Sequence, residues 1–153
     1  MILLTGATGL IGSALLIRTS LALRAVRPGF DAEHVLTMRM SLSGPRFEQA
    51  AAVERVVRDG VERLDALPGV EVASATCCVP LEGGYGLPFL IVGRPPQQGP
   101  FTGGGGWLTI SPGFFEVFKI PVTRGRTLTI RDNSGAPPVV LINETMARQF
   151  WKT

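Results

Sequence analysis

The sequence predicts an α+β fold, and three observations carry that expectation. From Val35 to Leu42 apolar and polar side chains alternate; from Ala50 to Leu67 apolar ones recur at steps of three and four; after Val79 short apolar runs are punctuated by glycine and proline. The first pattern has the period of a strand with one buried face, and the second that of a helix with one buried face. The third suits a strand-rich part with short helices. Ahead of all three lies Met1 to Ile17, which carries no charged side chain.

The chain of 153 residues is long enough for one ordinary domain with a real core. Charged residues make up only 18%, and mean hydropathy is +0.27, apolar for a freely soluble domain. The net charge of +3 is mild, the arginines are scattered, and Lys119 and Lys152 are the only lysines. No basic stripe is present, so no nucleic-acid partner is expected.

Met1 to Ile17 carries two competing signals. Its length is at the lower edge of the about 17–25 residues that span a bilayer as a helix. Thr5, Gly9 and Ser13 form a small-xxx-small row of the kind that packs membrane helices. A secretory signal would begin with a basic region, and none precedes the apolar run. A membrane helix is therefore the leading expectation, with a buried soluble element as a further alternative.

The second signal is Thr5-Gly6-Ala7-Thr8-Gly9-Leu10-Ile11-Gly12, which resembles the glycine fingerprint of the extended short-chain dehydrogenases and epimerases. That resemblance implies a strand over Met1 to Leu4, a turn at Gly6, Gly9 and Gly12, and a helix N-terminus receiving the pyrophosphate of NAD(P). The rest of the chain departs from it. Tyr85 is the only tyrosine and Phe89 stands four residues later, so the family's Tyr-x-x-x-Lys is missing. Asp31 lies at a plausible distance for a ribose-binding acid but in a turn-like Pro28-Gly29-Phe30-Asp31, and no series of βα units comes after it.

From Leu15 to Pro28 an amphipathic stalk bearing Arg18, Arg24 and Arg27 is expected, and Gly29-Phe30-Asp31 turns the chain. In the next strand, Leu36, Met38, Met40 and Leu42 form the buried face. Ser43-Gly44-Pro45 breaks the alternation. The helix after it presents Ala50, Val53, Val57, Val61, Leu64 and Leu67 on one face and Glu48, Glu54, Arg58, Asp59, Glu62 and Arg63 on the other. A helix so divided is expected to lie on a sheet. Pro68-Gly69 ends it, and Val70 to Val79 reads as a second strand.

Pro80 to Gly86 reads as a loop and Leu87 to Gly93 as a short strand. Arg94 to Gly106, with three prolines and five glycines, reads as a surface loop; no lysine or helix comes after Gly103 to Gly106, as a phosphate cradle would require. Trp107 to Ile110 is a strand, Ser111 and Pro112 cap and open a helix through Phe118, and Phe114, Phe115, Val117 and Phe118 are packing residues. Ile120 to Leu128 is extended across Arg124-Gly125-Arg126, a solvated turn in preference to an anion clamp. Val139 to Ile142 is a buried strand, and Asn143 caps a last helix whose Met146, Ala147 and Phe150 share a face.

No catalytic constellation emerges. His34 has no motif around it, the acids lie mostly on a wet helix face, and Lys152-Thr153 lacks the glycines of a Walker loop. Cys77 and Cys78 are adjacent; a disulfide between neighbours is strained, and two thiols with one histidine cannot make a four-ligand zinc site. They read as small strand residues. Neither metal nor cofactor is expected.

Three pieces in fixed order carry a second resemblance. They run from Leu15-Leu16-Ile17-Arg18-Thr19-Ser20 through Pro28-Gly29-Phe30-Asp31 to Val35-Leu36-Thr37; from Ser111-Pro112-Gly113-Phe114-Phe115 through Ile120-Pro121 to Arg124-Gly125-Arg126; and from Ala136-Pro137-Pro138-Val139-Val140 to Asn143-Glu144-Thr145-Met146-Ala147. With Leu67-Pro68-Gly69-Val70 they resemble the MacB-type periplasmic core domain of ABC transporter permeases, close to the FtsX-like, duplicated orphan permeases. The resemblance covers roughly Leu15 to Trp151. It implies a transmembrane or stalk helix over residues 1–28 and a truncated core domain over 29–153, with a porter-like βαβ unit and a strand-rich part. It further implies a non-catalytic domain outside the cytoplasmic membrane that transmits conformational change in transport or efflux. Its partners would be the membrane, a separate ABC ATPase subunit, the remaining permease segments and other extracytoplasmic proteins. The chain is expected to be a fragment of such a permease.

Overall fold

A computed structural model describes residues 3–26, 28–96 and 99–151 and divides the chain into two units, Met1–Asp31 and Ala32–Thr153. Arg27 of the expected stalk and the Lys152-Thr153 pair lie outside the described residues. The first unit is built on helix α1, Leu3–Ala25, whose 23 residues measure about 35 Å at 1.5 Å per residue. Leu10, Ile11, Leu15, Leu16, Ile17, Leu21 and Leu23 are exposed and distributed all round it, so α1 has no single apolar stripe. Ser13 donates its hydroxyl to the Gly9 carbonyl at 2.9 Å, satisfying itself within the helix. Among the described residues no helix is both long and apolar enough to cross a membrane.

The second unit is α+β, with three further helices and one two-stranded sheet among its described residues. The alternating run Val35–Leu42 is extended, as its pattern predicts, but pairs with no strand among the described residues. Leu36 is 96% exposed, and Met38 and Met40 are exposed beside it, so of the expected buried face only Leu42 is half-buried. A period-2 pattern specifies an extended chain and a preferred face, but a strand needs a hydrogen-bonded neighbour as well. Its one ion pair among the described residues runs from Arg39 to Glu82.

Helix α2, Ala50–Asp65, forms where the 3.6-residue period predicts it. Val53, Val57, Val61 and Leu64 are half-buried, whereas Glu54, Arg58, Asp59, Glu62 and Arg63 are exposed. The chain leaves the helix through Gly69 at φ 86°, a left-handed conformation that a side chain resists. The expected sheet beneath α2 is not found. The one described element that packs on it is the 3-10 turn Pro45–Phe47, because the flanking extended segments do not pair with each other beneath it. The expected porter-like βαβ unit is therefore not formed among the described residues: α2 stands between two extended segments that share no sheet.

The second of those segments, Val70 to Val79, finds its partner further along the chain. Cys77 N–H donates to the Thr109 carbonyl at 3.0 Å, Ser111 N–H donates to the Ala75 carbonyl at 2.8 Å, and Thr76 forms an antiparallel bridge with Ile110. The sheet proper pairs β1, Tyr85–Phe89, with β2, Gly103–Trp107, antiparallel, Tyr85 opposite Trp107 and Phe89 opposite Gly103. Two expectations are corrected here: the strand placed at Leu87 begins at Tyr85, and Gly103 to Gly106, expected as a loop, is a strand. Among these glycines, Gly103 serves close packing. A Cβ at Gly103 would stand 2.8 Å from Cζ of Phe89 and 3.1 Å from Cζ of Phe150. The two phenylalanine rings meet edge to face at 5.3 Å, fixing the hairpin against the last helix, α4, Glu144–Trp151.

Between hairpin and α4 lies the short helix α3, Phe114–Val117, with Phe114 (4% exposed) and Phe118 (6%) as the buried core, their rings 5.1 Å apart. Ser111 does not cap α3. Gly113, at φ 86°, precedes its first residue, and the Ser111 hydroxyl instead accepts the Ala75 N–H at 2.7 Å and meets the Ser74 hydroxyl at 2.9 Å. Val139 to Ile142, expected as a buried strand, is unpaired and mostly exposed. Asn143 caps α4 as predicted, its Oδ1 accepting the Met146 N–H at 2.8 Å.

Candidate partner-contact surface

Among the described residues no three of His, Cys, Asp and Glu lie together as a metal site would require. His34 sits in a left-handed turn at φ 62°. Gly6, Gly9 and Gly12 all lie inside α1, so the strand–turn–helix that would bring a pyrophosphate to a helix N-terminus is not what these residues form.

The Arg124-Gly125-Arg126 turn is a built structure. Arg126 grips Asp132 with both guanidinium nitrogens, at 2.7 and 2.6 Å, and Asp132 also accepts the backbone N–H of Thr129 at 2.8 Å. The hydrogen bond from Arg126, then that from the Thr129 backbone, holds the Asp132 carboxyl well below the usual carboxylate range. Arg126 therefore closes a loop with its own neighbour, which an anion clamp would leave free. Sequence reading missed Asp132; the signal was the Thr129-x-x-Asp132 spacing, in which a carboxylate returns to a backbone N–H three residues earlier.

What unit two offers instead is apolar surface. Around the hairpin, Tyr85, Leu87, Leu90, Trp107 and Leu108 are exposed, and Val92 is 99% exposed. The Arg39–Glu82 pair ties the run Val35–Leu42 to the turn that enters β1. Met38 and Met40, which alternate with Arg39 along the extended chain, are exposed as well. Both edges of the two-stranded sheet carry no further strand among the described residues. Such a surface suits protein contact.

Compared with known families, residues 19–152 match the pattern of one described as MacB-like periplasmic core domain. No curated protein and no solved structure matches the chain.

Proposed function

Because this chain belongs to the MacB-like periplasmic core domain family, whose domains are parts of transporter permeases, we propose that it is a non-catalytic extracytoplasmic domain of an ABC-type permease. Its role is to transmit conformational change or to contact partners during transport. The observation that carries the reading is the family match over residues 19–152, which takes in both the end of α1 and nearly all of unit two. The ATPase that drives the cycle resides in a separate subunit, and the exposed hairpin and the run Val35–Leu42 face other permease segments or extracytoplasmic proteins.

In this reading Met1 to Ile17 lies in the cytoplasmic membrane. A helix apolar all round has no reason to expose its leucines to water, and lipid satisfies it on every side. The polar Thr5, Thr8 and Ser13 dilute that apolarity, and Ser13 meets the cost by bonding back to Gly9. Expressed in a bacterium, the chain should pellet with membranes and resist carbonate extraction, and deletion of Met1 to Ile17 should release it. Full-length protein that is monodisperse in buffer without detergent would refute the anchor.

A further inference from the structure

Helix α4 has a narrow hold on the rest of unit two. Among the described residues its hydrogen bonds and its ion pair are local. Asn143 caps the Met146 N–H at 2.8 Å, the Asn143 carbonyl accepts the Ala147 N–H at 3.0 Å, and Arg148 bonds Glu144 at 2.8 Å. The backbones of α4 and the sheet do not come close to each other. What bridges them is aromatic. The tip of the Phe150 ring lies 3.1 Å from where a Cβ of Gly103 would stand, and the ring meets that of Phe89 edge to face at 5.3 Å. One residue on, the Arg94 guanidinium lies 5.7 Å from the centre of the Trp151 ring. Arg94 is itself tied to the chain leaving β1, its N–H donating to the Ile91 carbonyl at 3.0 Å.

Such a hold is easily released. No residue of α4 is fully buried, and Met146, Ala147 and Phe150 on its inner face are half-buried. With eight residues α4 is marginal as a helix in water by itself, so docking and helix formation go together. The chain leading into it, residues 139–142, is extended, unpaired and mostly exposed, so it can swing without breaking a ladder. The hairpin, by contrast, is paired along the whole of β1 and β2. What α4 covers is set by the pleat. Phe89 shares one face of β1 with Tyr85 and Leu87, because alternate residues of a strand point the same way. Tyr85 and Leu87 are exposed, whereas Phe89, under Phe150, is half-buried.

We infer that α4 is a detachable cover on the hairpin. It undocks and unwinds as a unit while β1 and β2 stay paired, and its release extends the exposed apolar face from Tyr85 and Leu87 to Phe89. A protein that binds this face through Phe89 has no access to that ring while Phe150 is in place, so its binding shifts the equilibrium towards the open form. The cover belongs wholly to unit two and stands whether or not α1 enters a membrane.

The test is native-state hydrogen exchange on the full chain in detergent micelles, read by mass spectrometry with and without low urea. Amides of α4 should exchange at least about tenfold faster than those of β1 and β2 and with little dependence on urea, the mark of a local opening. Phe150→Ala should speed α4 exchange about tenfold further, and Arg94→Gln, which removes only the contact with Trp151, about threefold. Both should leave the rates of the hairpin unchanged. Hydroxyl-radical footprinting reads the uncovering directly: labelling of Phe89 should rise severalfold in Phe150→Ala, with Tyr85 unchanged. Exchange of α4 and the hairpin at one rate with one urea dependence, or unfolding of unit two by Phe150→Ala, would make α4 an inseparable part of the core and overturn the inference. Phe89 labelling that stays at the parent level in Phe150→Ala would overturn it as well, since Phe150 would then cover nothing.

Discussion

Gly113 is held at φ 86° between the 109–111 segment and α3, and a Cβ there would lie 2.9 Å from the Ala73 carbonyl oxygen. Both the backbone conformation and the space exclude a side chain. Gly113→Ala should therefore destabilise unit two by about 1–3 kcal/mol in a denaturation series, since strain and clash act together. Gly83, at φ 80° but with nothing near its missing Cβ, is the internal control. Gly83→Ala carries the left-handed strain alone and should cost about 1 kcal/mol. Equal costs would mean that the Ala73 carbonyl moves away freely. Asp132 makes a second prediction at this scale. Its native carboxyl binds a proton more weakly than in the unfolded chain, where the ordinary aspartate value is about 3.9. The stability it contributes is fully present above that value and is lost as pH falls towards the native one. The gap between the parent and Asp132→Asn should be constant from about pH 5 to 8 and shrink on acidification below about pH 4. A gap that widens in acid would contradict the Arg126 clasp.

Among the elements, α2 shows what its surroundings leave unfilled. Val57 lies in the middle of the apolar face yet is only half-buried, and Arg58 beside it is exposed, 4.0 Å from Glu54. Val57→Asp should cost about 1–2 kcal/mol, roughly half of full valine burial plus a share of charge desolvation. Arg58→Asp should cost no more than about 0.5 kcal/mol. A thermal melt that shows Val57→Asp unfolding the unit outright would mean that another surface covers α2. The helices were legible because their signals are local. The 3.6-residue stripe located α2, and Asn143 located the start of α4 through a hydrogen bond three residues long. The strands were not, because pairing is settled by a partner elsewhere. Leu36, Met38 and Met40 have the right alternation and no neighbouring strand among the described residues, whereas Gly103 to Gly106 has no strand propensity and pairs fully with β1. The surface around the hairpin was hidden for the same reason. Leu87 and Trp107 read as ordinary strand residues, and Tyr85 as a loop residue, until the sheet proves to have only two strands among the described residues.

For the whole molecule the decisive matter is which side of the membrane holds unit two, and two arguments pull against each other. The family match begins at residue 19, and membership of a periplasmic domain family favours the outer side for the residues beyond that point. Arg18, however, comes directly after an uncharged run and Arg24 soon after it, and basic residues near the end of a membrane helix favour the cytoplasmic side. In the proposed topology the domain is exported against that local bias. Alkaline phosphatase fused after Trp151 should nonetheless be active, and a fluorescent reporter that matures only in the cytoplasm should be dark at the same position. Neutralising the opposing charges with Arg18→Gln and Arg24→Gln should leave phosphatase activity equal or raise it, because the remaining determinants already favour export. Loss of activity in that double variant would show the arginines themselves to be outer anchors, a role that charge bias alone does not predict. A dark phosphatase with a bright cytoplasmic reporter would place unit two inside the cell and remove the extracytoplasmic role, even with the family membership intact.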